Sequence, residues 1–484
     1  MTNDAYEAVI GLEVHSQLMT QSKLFCGCST AFGASPNDNV CPICMGMPGV
    51  LPVLNRNAVE LAVRTGLAAH CDIAPQSIFA RKSYFYPDLP KGYQISQYDE
   101  PLCRGGYIEL PAREGAEPRR IRLVRIHLEE DAGKNIHVDD SSLVDFNRSG
   151  VPLMEIVSEP DIRSPEEAVA YLRELRGILL SLHASDAKME EGSLRCDVNV
   201  SVRPRGSSTL GVKTEIKNLN SFRFVEKAIN YEVTRQIEEL SAGRRIPQET
   251  HLWDPEREVT RPMRSKEFAN DYRYFPEPDL PPIIVPPDLV ESVRTTMPEL
   301  PAERRTRYVS ELGLTAYEAA VLTQDGEVAD YFEAVASELS NRKTAAHWVM
   351  TEVLRAVNES GKAIGEAVTA GAVPPATETG ALLKMVEQSR ISLNAAKRAF
   401  AEMCRSRKEA EATVKELGLA QVSDESAIAE ACDRIIAAEG AKVAEYRGGR
   451  DKLFGFFVGA VMKAMGGKAN PKVVNEVLRR KLAS

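Results

Sequence analysis

The sequence predicts an α+β fold, in which a large, mainly antiparallel sheet forms a cradle domain over residues 1–292. An all-α helical domain follows over 293–406, then a small helical tail domain over 407–484. Three observations predict this. Strand-like runs with period-two alternation crowd the first 290 or so residues, without the regular strand–helix–strand order of a doubly wound sheet. A proline-dense stretch, YFPEPDLPPIIVPPDLV at 274–290, ends the strand signals. Beyond it the chain is rich in Ala, Glu, Leu and Arg with helical periodicity.

The elements follow in order. AVIGLEVHSQL, RIRLVRIHLEED, SLRCDVNVSVRP and GVKTEIKNL read as half-buried strands. Among them, RSPEEAVAYLRELRGILLSLHAS at 163–185 reads as a helix: Ser164 caps it, Pro165 suits the first helical position and Glu167 completes a capping box. AYEAAVLTQDGEVADYFEAVASEL typifies the helical domain, and the tail, from SDESAI onward, reads as three short helices separated by Gly and Asn-Pro breaks.

Composition excludes several classes. Among 484 residues, 43% are hydrophobic and 27% charged, as in an ordinary globular protein. MTNDAYEAVIGLEVH has neither the basic nor the apolar region of a secretory signal, and no apolar run suggests a membrane span, so the expected location is the cytoplasm. A net charge of −9 argues against a nucleic-acid partner. Its distribution argues back: Arg447–Ser484 carries nine Lys/Arg against two Asp/Glu. Such a basic tail marks either a polyanion contact or a solvated helical face.

Cys26, Cys28, Cys41 and Cys44 fall in two close pairs, C-x-C and CPIC. In a reducing compartment one tetrahedral zinc satisfies all four thiolates; the alternative is four unlinked thiols. No fifth polar ligand is suggested, so the expected role is structural. Cys71, Cys103, Cys196, Cys404 and Cys432 are scattered and read as packing residues.

A second constellation is oxygen-rich. Alternation puts Glu13 and His15 on one face of a strand and Ile10, Leu12 and Val14 on the other. His127, Glu129 and Asp131 share a face, with Glu130 opposite; KMEEGSLRCDVNVSV adds Glu190, Glu191, Asp197 and Asn199. Carboxylates with one or two imidazoles suit Mg²⁺ or Mn²⁺, although each acid alone reads as a solvated surface group. ARKSYFYPDLPKGYQISQYDEP, at 80–101, concentrates tyrosines with Lys82, Asp88, Lys91 and Asp99. Such a segment lines a polar cavity, stacks on nucleotide bases, or is a hairpin at a sheet edge. The sequence has no Walker loop, H-E-x-x-H, G-x-S-x-G or G-x-G-x-x-G, so any ATP is used without a Walker loop.

With IGLEVHSQL, RKSYFYPDLPKGYQISQYD, HLEEDAGK, LVDFNRSGVPLMEIVSEPDIRSPEEA, KMEEGSLRCDVN, EIKNLNSFR and DYRYFPEPDLP assembled, the chain resembles, end to end, the B-subunit family of bacterial aspartyl/glutamyl-tRNA amidotransferases. The resemblance implies an ATP-dependent enzyme that phosphorylates the side-chain carboxylate of Asp or Glu on misacylated tRNA. Ammonia, released from glutamine by a partner amidase, the A-type subunit, then displaces the phosphate to give Asn-tRNA or Gln-tRNA. It further implies a small C-type subunit in a heterotrimer and a non-discriminating aminoacyl-tRNA synthetase as a further partner. Carried over by position, Glu13, His15, Glu130 and Asp197 are the catalytic residues, with Glu13, His15 and Glu130 holding Mg²⁺. Lys82 and Asp88 match a polar tunnel, the four cysteines an accessory zinc site, and the tail with Lys463, Lys468 and Lys472 a tRNA contact. The rival reading is a non-catalytic, zinc-containing RNA-binding protein.

Overall fold

The computed structural model describes residues 5–111, 118–263, 272–421, 424–466 and 469–483. They form two units, Met1–Thr306 and Arg307–Ser484.

The first unit is organised by a ten-stranded sheet. Tyr6–Gln17 runs through it, antiparallel to Leu194–Pro204 on one side and to Pro152–Ser158 on the other. Arg119–Glu130 flanks Pro152–Ser158, and Thr214–Leu219 flanks Leu194–Pro204, both antiparallel. A parallel pair, Thr214–Leu219 with Thr250–Asp254, lies toward one edge.

Alternation sorts the side chains as the sequence predicts. Ile10, Leu12 and Val14 face a core shared with Ile126, Leu128, Met154, Ile156, Val198 and Val200. Helices Pro165–Ser181 and Phe222–Ser241 close that core with Leu172, Leu175, Leu179, Val225 and Ile229. Each fully buried aliphatic side chain contributes about 1.5–3 kcal/mol, so this apolar face can support a costly polar one opposite. Arg119–Glu130 carries a β-bulge: Ser158 pairs with Leu123 and Val157 with Arg125, leaving Val124 unpaired. The bulge shifts the phase, so that Ile121 and Leu123 before it and Ile126 and Leu128 after it all reach the core.

The helix predicted at 163–185 spans Pro165–Ser181, and the Ser164 hydroxyl accepts from the Glu167 N–H at 3.2 Å. The other half of the predicted capping box is displaced by one residue. Glu167 accepts the N–H of Arg163 at 2.8 Å, and Arg119 at 2.5 Å, instead of the cap's own amide.

A small three-stranded sheet, Phe275–Pro276, Ala80–Ser83 and Tyr93–Ser96, is tied to the end of Arg119–Glu130. The Gln97 side chain accepts from the Leu128 N–H at 3.0 Å, and the Glu130 carbonyl accepts from Gln94 at 2.7 Å. Helix Pro287–Thr295, just past the proline-rich stretch, still packs Leu289, Val290 and Val293 against the first unit's core.

In the second unit one apolar core runs from Tyr308 to Leu419 and another from Ile428 to Leu482. The stretch from SDESAI onward, read as three helices, contains four α-helices among the described residues: Glu425–Ala438, Gly440–Arg447, Phe454–Ala464 and Pro471–Ala483. The extra break falls at Glu439, whose backbone (φ −113°, ψ 36°) leaves the helical region. Lys463 and Lys472 are exposed; Lys468 lies outside the described residues. No described helix is long and apolar enough to cross a membrane.

Candidate active site

The polar face of the large sheet is where the sequence-predicted acids meet. Register sets His15 against Glu155 on one side and Arg195 on the other, Glu155 against His127, and Glu13 against Asp197. Four groups from three strands therefore form one cluster. His15 Nε2 lies 3.4 Å from a Glu155 oxygen and 3.8 Å from Glu129; His127 Nε2 lies 3.6 Å and 3.8 Å from the same two carboxylates. Glu129, Glu155 and His127 are buried and His15 is partly so.

Donor atoms of His15, Glu129 and Glu155 all lie within 4.8 Å of one another. Ligands held at about 2.1 Å from an octahedral Mg²⁺ stand about 3 Å apart when adjacent and about 4.2 Å when opposite. The observed separations and the oxygen–imidazole donor set fit such a cation. Two buried carboxylates are costly unless paired, and here the imidazoles, Arg125 at 3.9 Å and the Ser96 hydroxyl at 3.3 Å share the compensation. Burial alone would push the His15 pKa down, but the hydrogen bond to Glu155 and the charges of Glu129, Glu155 and Asp197 outweigh it, so the pKa stands above the usual value. Burial would raise the Glu155 carboxyl; His127, His15 and Lys82 hold it well below the carboxylate range instead.

The cluster opens into a cavity of about 270 Å³. Glu13 lines it and accepts from the Asn199 amide at 3.0 Å. Asp197 also lines it but is paired with Lys217 at 2.5 Å. Burial would lower the Lys217 ammonium; Asp197 and Glu215 raise it, so it stays charged. Lys82, Arg125 and Lys217 bring positive charge to the same lining, Lys217 being paired with Asp197 and Glu215, and Lys82 lies 4.9 Å from the Tyr272 ring centre. Asp131, which lines an adjoining cavity with His15 and Glu129, is held by Arg195 at 2.8 Å and Gln17 at 2.7 Å.

Glu130 is not part of this cluster. The pleat sends it to the opposite face, where it pairs with Lys91 and accepts the Ile95 N–H at 3.0 Å. There, with Lys91, Lys23, Cys26 and Cys44, it lines a separate cavity of about 90 Å³. The structure thus brings Glu13, His15 and Asp197 together, replaces Glu130 by Glu129 and Glu155, and leaves half-buried Asp88 away from this cavity's lining. Glu190 and Glu191 are exposed in the preceding turn. Glu155 escaped the sequence reading, although a lone acid inside the apolar run LMEIV is the signal that would have found it.

The sulfurs of Cys26, Cys28, Cys41 and Cys44 also lie within 4.8 Å of one another, and none is in a disulfide. Tetrahedral zinc with bonds of about 2.3 Å puts sulfurs about 3.8 Å apart, so the four thiols fit that metal. Lys23, 1% exposed, donates to the Asn39 carbonyl at 2.7 Å, the Phe146 carbonyl at 3.2 Å and the Cys44 sulfur at 3.6 Å. A hydrogen bond from the Cys26 thiol, the Cys41 amide and the Lys23 charge pull the Cys44 thiol down to about 4 against the effect of burial.

The GatB/GatE catalytic domain family matches residues 8–291, and the GatB domain family matches 330–482. The chain belongs to the amidotransferase B-subunit family. It is 57% identical over 482 residues to the B subunit of the aspartyl/glutamyl-tRNA(Asn/Gln) amidotransferase of Geobacter sulfurreducens, covering 99% of each chain. The same-named proteins of Thermodesulfovibrio yellowstonii and Anaeromyxobacter sp. strain K are 56% identical over 474 residues and 55% identical over 484, covering 98% and 99% of each chain. As a family member of this length, the chain carries the catalytic-domain region on the unit that holds the acid cluster.

Proposed function

We propose that the chain is the subunit of a tRNA-dependent amidotransferase that activates the side-chain carboxylate of Asp or Glu on misacylated tRNA. The phosphoryl donor is ATP, and the products are Asn-tRNA(Asn) or Gln-tRNA(Gln), made in the cytoplasm. The observation that carries this reading is the His15–Glu129–Glu155 cluster beside a cavity whose lining includes Lys82, Arg125 and Lys217. His15, Glu129 and Glu155 would hold a Mg²⁺, which would offset negative charge on the phosphates. The residues around it do the rest. Lys82 and Arg125 attract and align the anionic groups of both substrates, and Asp131, through Arg195, stiffens the sheet beside them. Glu13, with its charge free of an ion pair among the described residues, adds a negative group that favours the cation.

The chemistry balances in two steps. An oxygen of the side-chain carboxylate bonds to the terminal phosphorus as ADP departs. Ammonia nitrogen then bonds to the activated acyl carbon, and inorganic phosphate leaves with that oxygen. Ammonia comes from a partner glutaminase, the A-type subunit, with a small C-type subunit completing the heterotrimer; a non-discriminating synthetase supplies the misacylated tRNA. The four cysteines hold a structural zinc, which takes no part in these steps. Lys82 and Asp88 belong to the ammonia's path, and the tail, through Lys463, Lys468 and Lys472, contacts tRNA.

The test is phosphate release from ATP by the assembled complex. It should require misacylated tRNA and fall by about a hundredfold or more in Glu155→Gln, with tRNA affinity retained. No ATP turnover by the wild-type complex with misacylated tRNA would instead favour the non-catalytic RNA-binding reading.

A further inference from the structure

Two tyrosines on the same cavity are left unused by the phosphoryl-transfer reading. Tyr98 follows the strand Tyr93–Ser96, and Tyr274 precedes Phe275–Pro276; both line the cavity that His15 and Glu155 enter. Their rings are stacked with centroids 4.0 Å apart and planes 4° from parallel, the closest and most parallel ring pair among the described residues. Aromatic side chains more often meet edge-on or offset, with centroids about 4.5–7 Å apart. Tyr272 packs edge-on against Tyr274 at 6.0 Å. Tyr274 is thus enclosed by rings, whereas Tyr98 is 47% exposed with one face already covered.

A partly exposed flat ring that is stacked on a second ring and shares a cavity with Lys82 and Arg125 has the features of a nucleobase platform. We propose that the Tyr98–Tyr274 stack receives a purine, with Tyr98 as the contacting ring and Tyr274 as its support. This rests on the reading of the cavity as a phosphoryl-transfer site. In that reaction the available purine is adenine, from ATP or from the 3′-terminal adenosine of the tRNA. Stacking alone discriminates weakly among purines, so the platform fixes position and leaves specificity to other contacts.

The experiment measures equilibrium binding to the assembled complex with Mg²⁺ present. The probes are ATP, inorganic tripolyphosphate, and an RNA acceptor stem with and without its terminal adenosine. Tyr98→Ala should weaken one adenine-bearing probe about tenfold or more, leave tripolyphosphate unchanged, and be rescued by Tyr98→Phe, which keeps the ring. Loss confined to ATP assigns the platform to the nucleotide; loss confined to the adenosine-ended stem assigns it to the tRNA terminus. Equal binding of all probes by wild type and Tyr98→Ala would overturn the platform while leaving the phosphate site standing. Equal loss with Tyr98→Phe would move the effect to the hydroxyl and also overturn stacking, and a parallel loss of tripolyphosphate would assign it to a damaged pocket. Failure of the wild type to bind either ATP or tripolyphosphate would remove the phosphoryl-transfer reading itself, and the platform with it.

Discussion

The thiols of Cys26, Cys28, Cys41 and Cys44 come from one stretch of chain without helix or strand, whereas His15, Glu129 and Glu155 come from three strands far apart in sequence. The first cluster is assembled by local spacing, the second by sheet register. The loop has little to bury: Phe32, Met47, Leu51 and Val53 are all exposed. It is tied down by polar contacts instead, such as Asn37 N–H to Asp145 at 3.0 Å and Asn39 N–H to Asn147 at 2.8 Å, while the acid cluster is positioned by an apolar core on the opposite face of the sheet. A local cluster adds stability to the fold when it is filled, and a distributed one draws on stability the fold already has.

The largest effect should separate the two on stability. Cys41→Ser combined with Cys44→Ser should lose one equivalent of zinc and lower the melting temperature by about 10 °C or more, because structural zinc binding is folding free energy. Glu129→Gln should leave zinc content unchanged. Metal analysis of the purified proteins and thermal denaturation in parallel check both, and wild-type protein without zinc, purified without chelator, would break the comparison.

Next come two neighbours on one strand. Glu129→Gln should cut tRNA-dependent ATP cleavage by about a hundredfold or more. Glu130→Gln should leave ATP cleavage far less affected but lower stability by about 3–5 kcal/mol, since it strands the buried Lys91 ammonium. Equal loss of ATP cleavage in both would show that the acid cluster is not the phosphoryl-transfer site.

The smallest effect is expected in the tail. Neutralising Lys463 and Lys472 should flatten the log–log salt dependence of tRNA affinity by about one unit for each phosphate no longer neutralised, with single-turnover chemistry on saturating tRNA little changed. A salt titration with identical slopes would return these lysines to a solvated surface.

How much of this was legible follows the same divide. The four-cysteine cluster was readable because its ligands lie close in sequence. Strand faces were readable too: Glu13 and His15 opposite Ile10, Leu12 and Val14, and Glu129 opposite Glu130, follow from alternation alone. Which strands lie side by side was not, because nothing local to Glu155 specifies that Pro152–Ser158 stands between Tyr6–Gln17 and Arg119–Glu130. Alternation had already separated Glu130 from Glu129; carrying over a position by resemblance overrode that signal. In the tail, the break at Glu439 was hidden because the residues around it are good helix formers and only Gly440 marks the spot.

The unpaired Val124 has a consequence for how this chain can vary. Because it is the one residue in excess of the partner strand, deleting it would restore plain alternation and keep His127 and Glu129 on the cavity face, whereas inserting one residue between Arg125 and Ile126 would turn Leu128 and Glu130 toward the cavity and His127 and Glu129 toward the core. Substitution at this exposed position, and even its deletion, should be tolerated, whereas single-residue insertions between Arg125 and Glu129 should not. The cavity face is therefore encoded partly as a count of residues after the bulge, which a homologous chain must preserve even where its amino acids drift.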